Sequence, residues 1–509
     1  MPFENEREEF ERRKAVASAM GSPARLAERK AKGILNARER VALLFDAGSF
    51  TELGQLAVSI RPEMRAKSPA DGVISGFGRI DGRMCGANVS DFTTLGSSSA
   101  EIHGKKQHHI RTVCEKNGLP VINLMECAGG RIPDIMGAAG IGRAGEGAVY
   151  SRRRVTPAIA AVLGLTYGGG AFTCINSDIT IMRKGAVLAV SSPNVTAVAI
   201  SEDMDPEALG GWRHHSETTG LIDLLADTDE EALALLKKVL AYLPDHHGER
   251  EPDAGIPPGA EEAVTRMLDL LPESRAQVYD MRKLIAAILD PGSFLCLKER
   301  FAKVAVTGLG RLRGRTVGII ATNPMFKGGA LDTDACDKIT SFIVLCDSFN
   351  IPLIFLADTP GFLVGAESEK RRLPGKIMTF MAALELSSVP KIALVLRKSY
   401  GQAYLNMAGG KADTTAAWFT GDISFMDPAV AVNVVFAAKR EDNPQGFDDL
   451  LRQVSAATTA YSLAEPFMAH AVIDPRGTRD YLAAMLEVHA RRLTNGVGEH
   501  RLAVWPPAY

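Results

Sequence analysis

The chain has 509 residues, a formal net charge of −2, 46% hydrophobic residues and 23% charged ones. That is an ordinary composition for a folded protein of roughly two to four domains, and the near-zero charge argues against nucleic acid as a general partner. Seven cysteines, an odd number with no CxxC pair, read as buried thiols in a reducing, cytoplasmic compartment rather than as a disulfide framework.

Residues 4–44 are predicted to be helical and strongly charged, with 25–32 on a solvated or interface face. No leader segment is expected at this end, because no apolar h-region precedes the charges. Short β-rich runs follow at 72–79 and 83–90, then a helix over 99–117 and a strand over 120–125. The longest apolar run, 157–172, is cut by Gly164 and by Gly168, Gly169 and Gly170. It therefore reads as a buried strand and turn, and no membrane span is expected. Strands and helices alternate to about residue 243. The polar stretch 244–259, rich in Pro and Gly, reads as a linker and places two domains at 1–250 and 251–509. A helical tail over 481–493, with Arg491 and Arg492 facing solvent, closes the chain.

The second half repeats the first. Residues 76–83 (GFGRIDGR) return as 308–315 (GLGRLRGR), and 119–126 (LPVINLME) as 351–358 (IPLIFLAD), both offset by 232. Residues 156–163 (TPAIAAVL) return as 389–396 (VPKIALVL), offset by 233. Solenoid repeats are only roughly 20–50 residues long. Two homologous α/β domains in tandem, with mainly parallel strand pairing, are therefore expected.

Matched glycine turns are the strongest functional signal. Tyr167 and Gly168 follow one apolar strand; Tyr400 and Gly401 follow its repeat. Glycine lets consecutive amides turn outward, and such amides suit a developing oxyanion. Tight packing turns are the plain alternative, and the occurrence of two copies favours function. A second pair of turns places Gly129, Gly130 and Arg131 opposite Gly361, Phe362 and Leu363 in the repeat. Arg131 would meet an anionic group, or else be a surface or salt-bridged arginine. There is no GxxxxGK[ST], HExxH or GxSxG, and the Gly76 and Gly308 turns lack the third glycine of a dinucleotide motif. The adjacent histidine pairs His108–His109, His214–His215 and His246–His247 point apart on regular structure, so no metal is expected.

These motifs lie within a broader likeness. Residues 32–40 (KGILNARER) with 46–50 (DAGSF), 90–93 (SDFT) with 101–105 (EIHGK), and 207–211 (EALGG) with His215 are three such segments. Residues 346–353 (CDSFNIPL) with 360–363 (PGFL), and 397–404 (RKSYGQAY) with Trp418, complete the set. Together they resemble the carboxyltransferase (β) subunits of biotin-dependent acyl-CoA carboxylases, of the propionyl-CoA carboxylase type.

The resemblance implies two crotonase-like (ClpP/crotonase) domains. An acyl-CoA would lie on the N-terminal domain of one subunit, and carboxybiotin would enter from the C-terminal domain of another. The amides of Gly168 and Gly169 would hold the thioester oxygen as an enolate, and those of Gln402 and Ala403 the biotin ureido oxygen. Gly129, Gly130, Arg131, Tyr167, Gly361, Phe362, Tyr400 and Leu405 would contact substrate, and Gly401 and Tyr404 the biotin. No side-chain base is required. No biotinyl motif occurs, so the biotin would arrive on a separate carrier, with a biotin carboxylase as further partner. The chain itself would form dimers assembling to a hexamer.

Five departures qualify the likeness, one of them residues 426–428 (MDP) in place of MGA. Gln402 replaces a glycine, which restricts φ and adds bulk. Leu405 would alter acyl preference or pack in the core. Residues 367–372 (ESEKRR) replace an apolar stretch. Arg152, Arg153 and Arg154 replace small residues and would meet CoA phosphates or form an exposed cluster. Two alternatives stand beside a carboxylase subunit: a decarboxylase subunit running the transfer in reverse, and a scaffold subunit that has lost transfer.

Overall fold

In the computed structural model, residues 3–132, 134–146, 151–491 and 493–506 are described. The chain forms two compact units, 1–247 and 248–509, with the boundary three residues before the expected position. Each unit is built on one eight-stranded sheet.

The first sheet holds β1 (Thr51–Leu53), β2 (Val73–Ile80), β3 (Arg83–Ser90), β4 (Val121–Cys127), β5 (Ala158–Tyr167), β6 (Ile179–Arg183), β7 (Val187–Ala189) and β8 (Leu224–Ala226). The second holds β9 (Leu295–Leu297), β10 (Ala305–Leu312), β11 (Arg315–Thr322), β12 (Leu353–Thr359), β13 (Lys391–Tyr400), β14 (Thr414–Trp418), β15 (Asp422–Ser424) and β16 (Ala471–Ile473). The strand orders, β1-β2-β3-β4-β5-β6-β8 and β9-β10-β11-β12-β13-β14-β16, are the same path, with β7 on β5 and β15 on β13. The first three strands of each sheet pair antiparallel and all later pairs are parallel. Strands β4, β12 and nearly all of β5 and β13 are buried, as helix-covered parallel strands must be.

The repeated GxG motifs are not turns: they lie inside β2 and β10. A Cβ on Gly76 would sit 2.2 Å from the Thr51 carbonyl oxygen, and one on Gly308 would sit 2.5 Å from the Leu295 carbonyl oxygen. The edge strand crosses too closely in each half for any side chain. The matched cysteines have an equally local reason. Cys114 and Cys346, offset by 232, fill the space left by Gly86 and Gly318 on the neighbouring strand. Burial pushes the Cys114 thiol up to about 12, so it behaves as a small apolar group. All seven cysteines are free and six are buried.

The charged N-terminal region is three helices rather than one: Glu4–Ser18, Pro23–Ala31 and Ala37–Leu44. Ser22 caps the second, which has proline in its first turn, and Asn36 with Glu39 forms a capping box on the third; these signals start new helices. The tail helix spans Thr478–Ala490, three residues earlier than expected at each end. Arg491 is exposed, and Arg492 lies outside the described residues.

A buried lysine ties the long helix of each unit to an adjoining loop. Lys338, on the helix Thr333–Ser348, donates to the carbonyls of Lys298, Phe301 and Ala305 at 2.9, 2.9 and 2.7 Å. Lys106, on the helix Glu101–Asn117, donates to those of Ala70 and Val73. Burial lowers both ammonium groups to about 8. The loops they hold contain left-handed residues without glycine, Ala70, Lys298 and Ala302, conformations that cost about 1–2 kcal/mol each. Lys338→Met fills the volume but takes the ammonium donor from the Phe301 and Ala305 carbonyls and leaves the Lys298 carbonyl only the Phe301 N–H. It is expected to lower unfolding free energy by about 2–3 kcal/mol in urea titrations of the full chain.

Candidate active site

In the first unit, β5 carries Tyr167 at its C-terminal end, where it pairs with Ala189 of β7. Gly168 then turns the chain with φ 57° and ψ −125° into the helix Gly169–Ile175. A β-carbon is disfavoured there, and the position of Gly170, two residues on, is filled from below: a Cβ on it would lie 2.6 Å from that of Cys127.

The Gly168 N–H is not available to a ligand. It donates to the carbonyls of Ala189 and Val190, at 3.2 Å each. Of the expected pair, Gly168 and Gly169, the first donor is thus engaged within the protein. Among the described residues no acceptor is in hydrogen-bond range of the Gly169 or Gly170 amide. Those two positions, offset by 233, are also the ones that correspond to Gln402 and Ala403. Strand β7 is in turn held by His215, whose Nε2 lies 2.7 Å from the Leu188 carbonyl oxygen. Burial lowers the His215 pKa, so the ring is neutral near pH 7 and must carry its proton on Nε2 to make this bond.

The second unit repeats the construction at the end of β13. Gly401, φ 58°, starts the helix Gly401–Asn406. Gln402 does not occupy the left-handed region, so the side chain in place of glycine costs no backbone strain. Its Nε2 donates to Asn406 Oδ1 at 3.0 Å, one helical turn along, and Asn406 in turn donates to the Ile377 carbonyl. The Ala403 side chain is fully buried. No acceptor among the described residues engages the Gln402 or Ala403 amide. Beneath this turn the Tyr400 hydroxyl donates to the buried Asp422 carboxylate, which Arg275 also engages. Burial, and then the bond to Asp422, push the Tyr400 phenol far up, so it remains a donor.

The flanking turns match bond for bond. Ser99 N–H donates to the Gly129 carbonyl and Arg131 N–H to the Ser99 carbonyl, both at 2.8 Å; Leu331, Gly361 and Leu363 do the same at 3.0 and 2.7 Å. Gly129, φ 96°, approaches Gly168, its Cα 3.8 Å from where a Cβ on Gly168 would be. Gly361, φ 127°, approaches Tyr400 in the same way. The turn Gly129–Gly130 therefore lies beside Tyr167–Gly170, and Gly361–Phe362 beside Tyr400–Ala403.

Two expected anion contacts are directed to carboxylates of the fold. Arg131 is buried, with its guanidinium 2.6 Å from Asp71 and 3.4 Å from Asp134, and it donates to the Asp71 and Ser98 carbonyls; it ties loops together instead of facing an anion. Arg152 and Arg154 both pair with Asp178, whose side chain is 1% exposed, at 2.6 and 3.2 Å, and among these three arginines only Arg153 is exposed. The Tyr404 ring packs on Gly409 and on the cluster of Val395, Ala417 and Ala460. Leu405 is half-buried.

The acids nearest the turns are locked. Glu126 and Asp358 occupy repeat positions at the ends of β4 and β12. Glu126 accepts from Arg29 and Arg40 at 2.6 Å each, and Arg40 also bonds Asp229. Burial alone would raise the Glu126 pKa, but the two guanidiniums outweigh it and hold it below the usual carboxylate range. A Cβ on Gly164 would lie 2.0 Å from Glu126 Oε1, whereas its repeat position is Arg397, which bonds Asp358 at 2.8 Å. Each unit thus neutralises the same acid from a different direction, and neither acid is free to act as a base. Reasoning from the sequence missed Ser99, Asp422 and Arg275. Comparing Ser99 with its repeat partner Leu331 would have singled out the first.

The chain is thus two sheets of one topology in tandem, each with a central strand that ends in a glycine turn leading into a helix. The chain belongs to the carboxyl transferase domain family, whose pattern covers residues 28–501, and it is a carboxyltransferase of the biotin-dependent acyl-CoA carboxylase and decarboxylase group. The carboxyltransferase subunit of propionyl-CoA carboxylase from Haloferax mediterranei is 32% identical over 502 residues, 96% of each chain. The α subunit of methylmalonyl-CoA decarboxylase from Veillonella parvula is 32% identical over 494 residues, 94% of this chain and 95% of the relative. The crystal structure of transcarboxylase 12S, a hexamer assembly with methylmalonyl-coenzyme A and methylmalonic acid bound, aligns with a TM-score of 0.89 at 32% identity over 97% of both chains. The two units are crotonase-like domains in tandem.

Proposed function

We propose that this chain moves a carboxyl group between carboxybiotin, borne on a separate carrier chain, and the α-carbon of an acyl-CoA. The carrying observation is the repetition of one turn, with unengaged amides, at the ends of β5 and β13. A thioester α-proton is too weakly acidic to leave at neutral pH unless the enolate oxygen is stabilised. Fixed amides do this without reorganising, each donor contributing about 3–4 kcal/mol.

In this reading Gly169 and Gly170 hold the thioester oxygen, one residue beyond the pair expected from the sequence. Gln402 and Ala403 hold the ureido oxygen, and the turn at Gly401 presents them. Carboxybiotin, when bound, supplies CO2 and a ureido nitrogen basic enough to take the α-proton. No side chain of this chain has to accept it, which suits the locked Glu126 and Asp358. Gly129, Gly130 and Tyr167 shape the first mouth, and Gly361, Phe362 and Tyr400 the second. Leu405, on the same helix as Ala403, sets acyl preference.

The functional site is completed by a second copy of the chain, whose C-terminal unit brings the biotin to the N-terminal unit of the first. Apolar exposure supports this. Val190 and the helix Pro193–Ile200 follow the first turn, and Phe425 and the helix Pro428–Val435 follow the second. Val198 is 84% exposed and Phe425 81%, more than a solitary chain would leave to water beside its site.

The test is transfer from methylmalonyl-CoA to free biotin by the purified full chain, followed by chromatography of CoA esters. Biotin-dependent formation of propionyl-CoA is the expected result. No turnover of methylmalonyl-CoA, malonyl-CoA or longer carboxylated esters would overturn the proposal. The likeness to the Veillonella decarboxylase subunit carries a second reading, with transfer away from the acyl-CoA as the physiological direction. A requirement for ATP in the complex reconstituted with its partner subunits would reject that reading, and ATP-independent decarboxylation would support it.

A further inference from the structure

The two turns are alike in backbone and unlike in one side chain. At the position that flanks each turn, the first unit has Ser99 and the second has Leu331, offset by 232. Both residues are pinned by two backbone bonds to the adjacent glycine loop, Ser99 through Gly129 and Arg131, Leu331 through Gly361 and Leu363. With its N–H and C=O so engaged, Ser99 can contribute only its hydroxyl.

That hydroxyl stands at the first turn. Ser99 Oγ is 3.5 Å from the point where a Cβ on Gly169 would be, and Ser99 itself is half-buried. Its polar contact among the described residues is Cys127 Sγ, at 3.6 Å, a weak partner. The same thiol lies under Gly170, 3.3 Å from where its Cβ would be. Ser99 Oγ thus stands beside Gly169, the residue that opens the helix carrying the Gly169 and Gly170 amides.

We propose that the Ser99 hydroxyl is a third hydrogen-bond donor to the thioester oxygen of the acyl-CoA, strengthening as that oxygen becomes an enolate. The inference rests on the acyl-CoA reading of this turn. The asymmetry between the units follows from it. An enolate oxygen carries more charge than the thioester it came from, so an added O–H donor lowers the barrier there. At the second turn, Leu331 leaves the two amides alone.

The experiment compares wild type, Ser99→Ala, Ser99→Thr and Ser99→Leu in transfer from methylmalonyl-CoA to free biotin, with binding of propionyl-CoA measured by calorimetry. Ser99→Ala and Ser99→Leu are expected to lower kcat about tenfold, the loss of one neutral hydrogen bond, with the propionyl-CoA dissociation constant changed less than about twofold, because the ground-state oxygen is a weak acceptor. Ser99→Thr keeps the hydroxyl and is expected to stay within about threefold of wild-type kcat. Wild-type kcat in Ser99→Ala would overturn the proposal and leave the acyl-CoA reading standing. So would a loss confined to propionyl-CoA affinity, or a Ser99→Thr variant as slow as Ser99→Ala. Absence of turnover in the wild type itself, with no propionyl-CoA bound, would remove both.

Discussion

Gly169→Pro is expected to lower kcat for carboxyl transfer about 10²–10³-fold, the typical effect of deleting one oxyanion donor, while the chain stays folded. Proline lacks the N–H and fixes φ near the helical value. Gly169 is the first residue of its helix, the position where proline is best tolerated, and it is exposed. Gly169→Ala is the matched control. It keeps the amide, and its Cβ would make only an ordinary contact with Ser99 Oγ, at 3.5 Å, so it should retain most of the wild-type rate. Steady-state kinetics of the two variants, with circular dichroism to confirm folding, isolates the amide from the side chain. Equal activity in both would show that the Gly169 amide does not touch the reacting oxygen.

Arg397→Met is expected to lower the stability of the C-terminal unit by about 3–5 kcal/mol. Arg397 and Asp358 are 3% and 0% exposed in their side chains. Removing the guanidinium leaves a carboxylate with no water and no countercharge. The same group donates to the carbonyls of Pro272, Ser274 and Gln277 and lies over the Tyr279 ring at 4.8 Å, so the segment before β9 loses its anchor as well. Urea unfolding of the full chain, followed by hydrogen exchange of β12 and β13, measures the loss. The double variant Asp358→Leu, Arg397→Met removes both charges and should recover part of it, since a buried pair replaced on both sides is far less costly than one broken on one side. A double variant no more stable than the single one would place the cost in the lost carbonyl bonds instead.

Topology was legible in the sequence because the duplication is preserved where backbone approaches backbone. Gly76 and Gly308, Gly86 and Gly318, and Cys114 and Cys346 survive as pairs because each fills, or vacates, a space with no alternative. The two turns were legible for the same reason: Gly168 and Gly401 both take positive φ. Which amides face a ligand was not legible. Gly168 and Gly169 look equivalent in sequence, and only the carbonyls of Ala189 and Val190, some twenty residues downstream, decide that the first is occupied. Charges were the least readable. Arg131, Arg152 and Arg154 have the composition of an anion site, but Asp71, Asp134 and Asp178 claim them across the fold. Gln402 was misread in the opposite sense. Its side chain implied strain that its actual φ does not produce. Ser99 was overlooked because the repeat was read for likeness, and its meaning lies in a difference.

The account stands on the thioester oxygen reaching the turn after β5. The direct measurement is a crystal structure of the full chain with methylmalonyl-CoA bound. The thioester oxygen should lie within hydrogen-bond distance of the Gly169 and Gly170 nitrogens, with the Gly168 N–H still on the Ala189 and Val190 carbonyls. A thioester seated elsewhere, or an oxygen held by side chains alone, would contradict it.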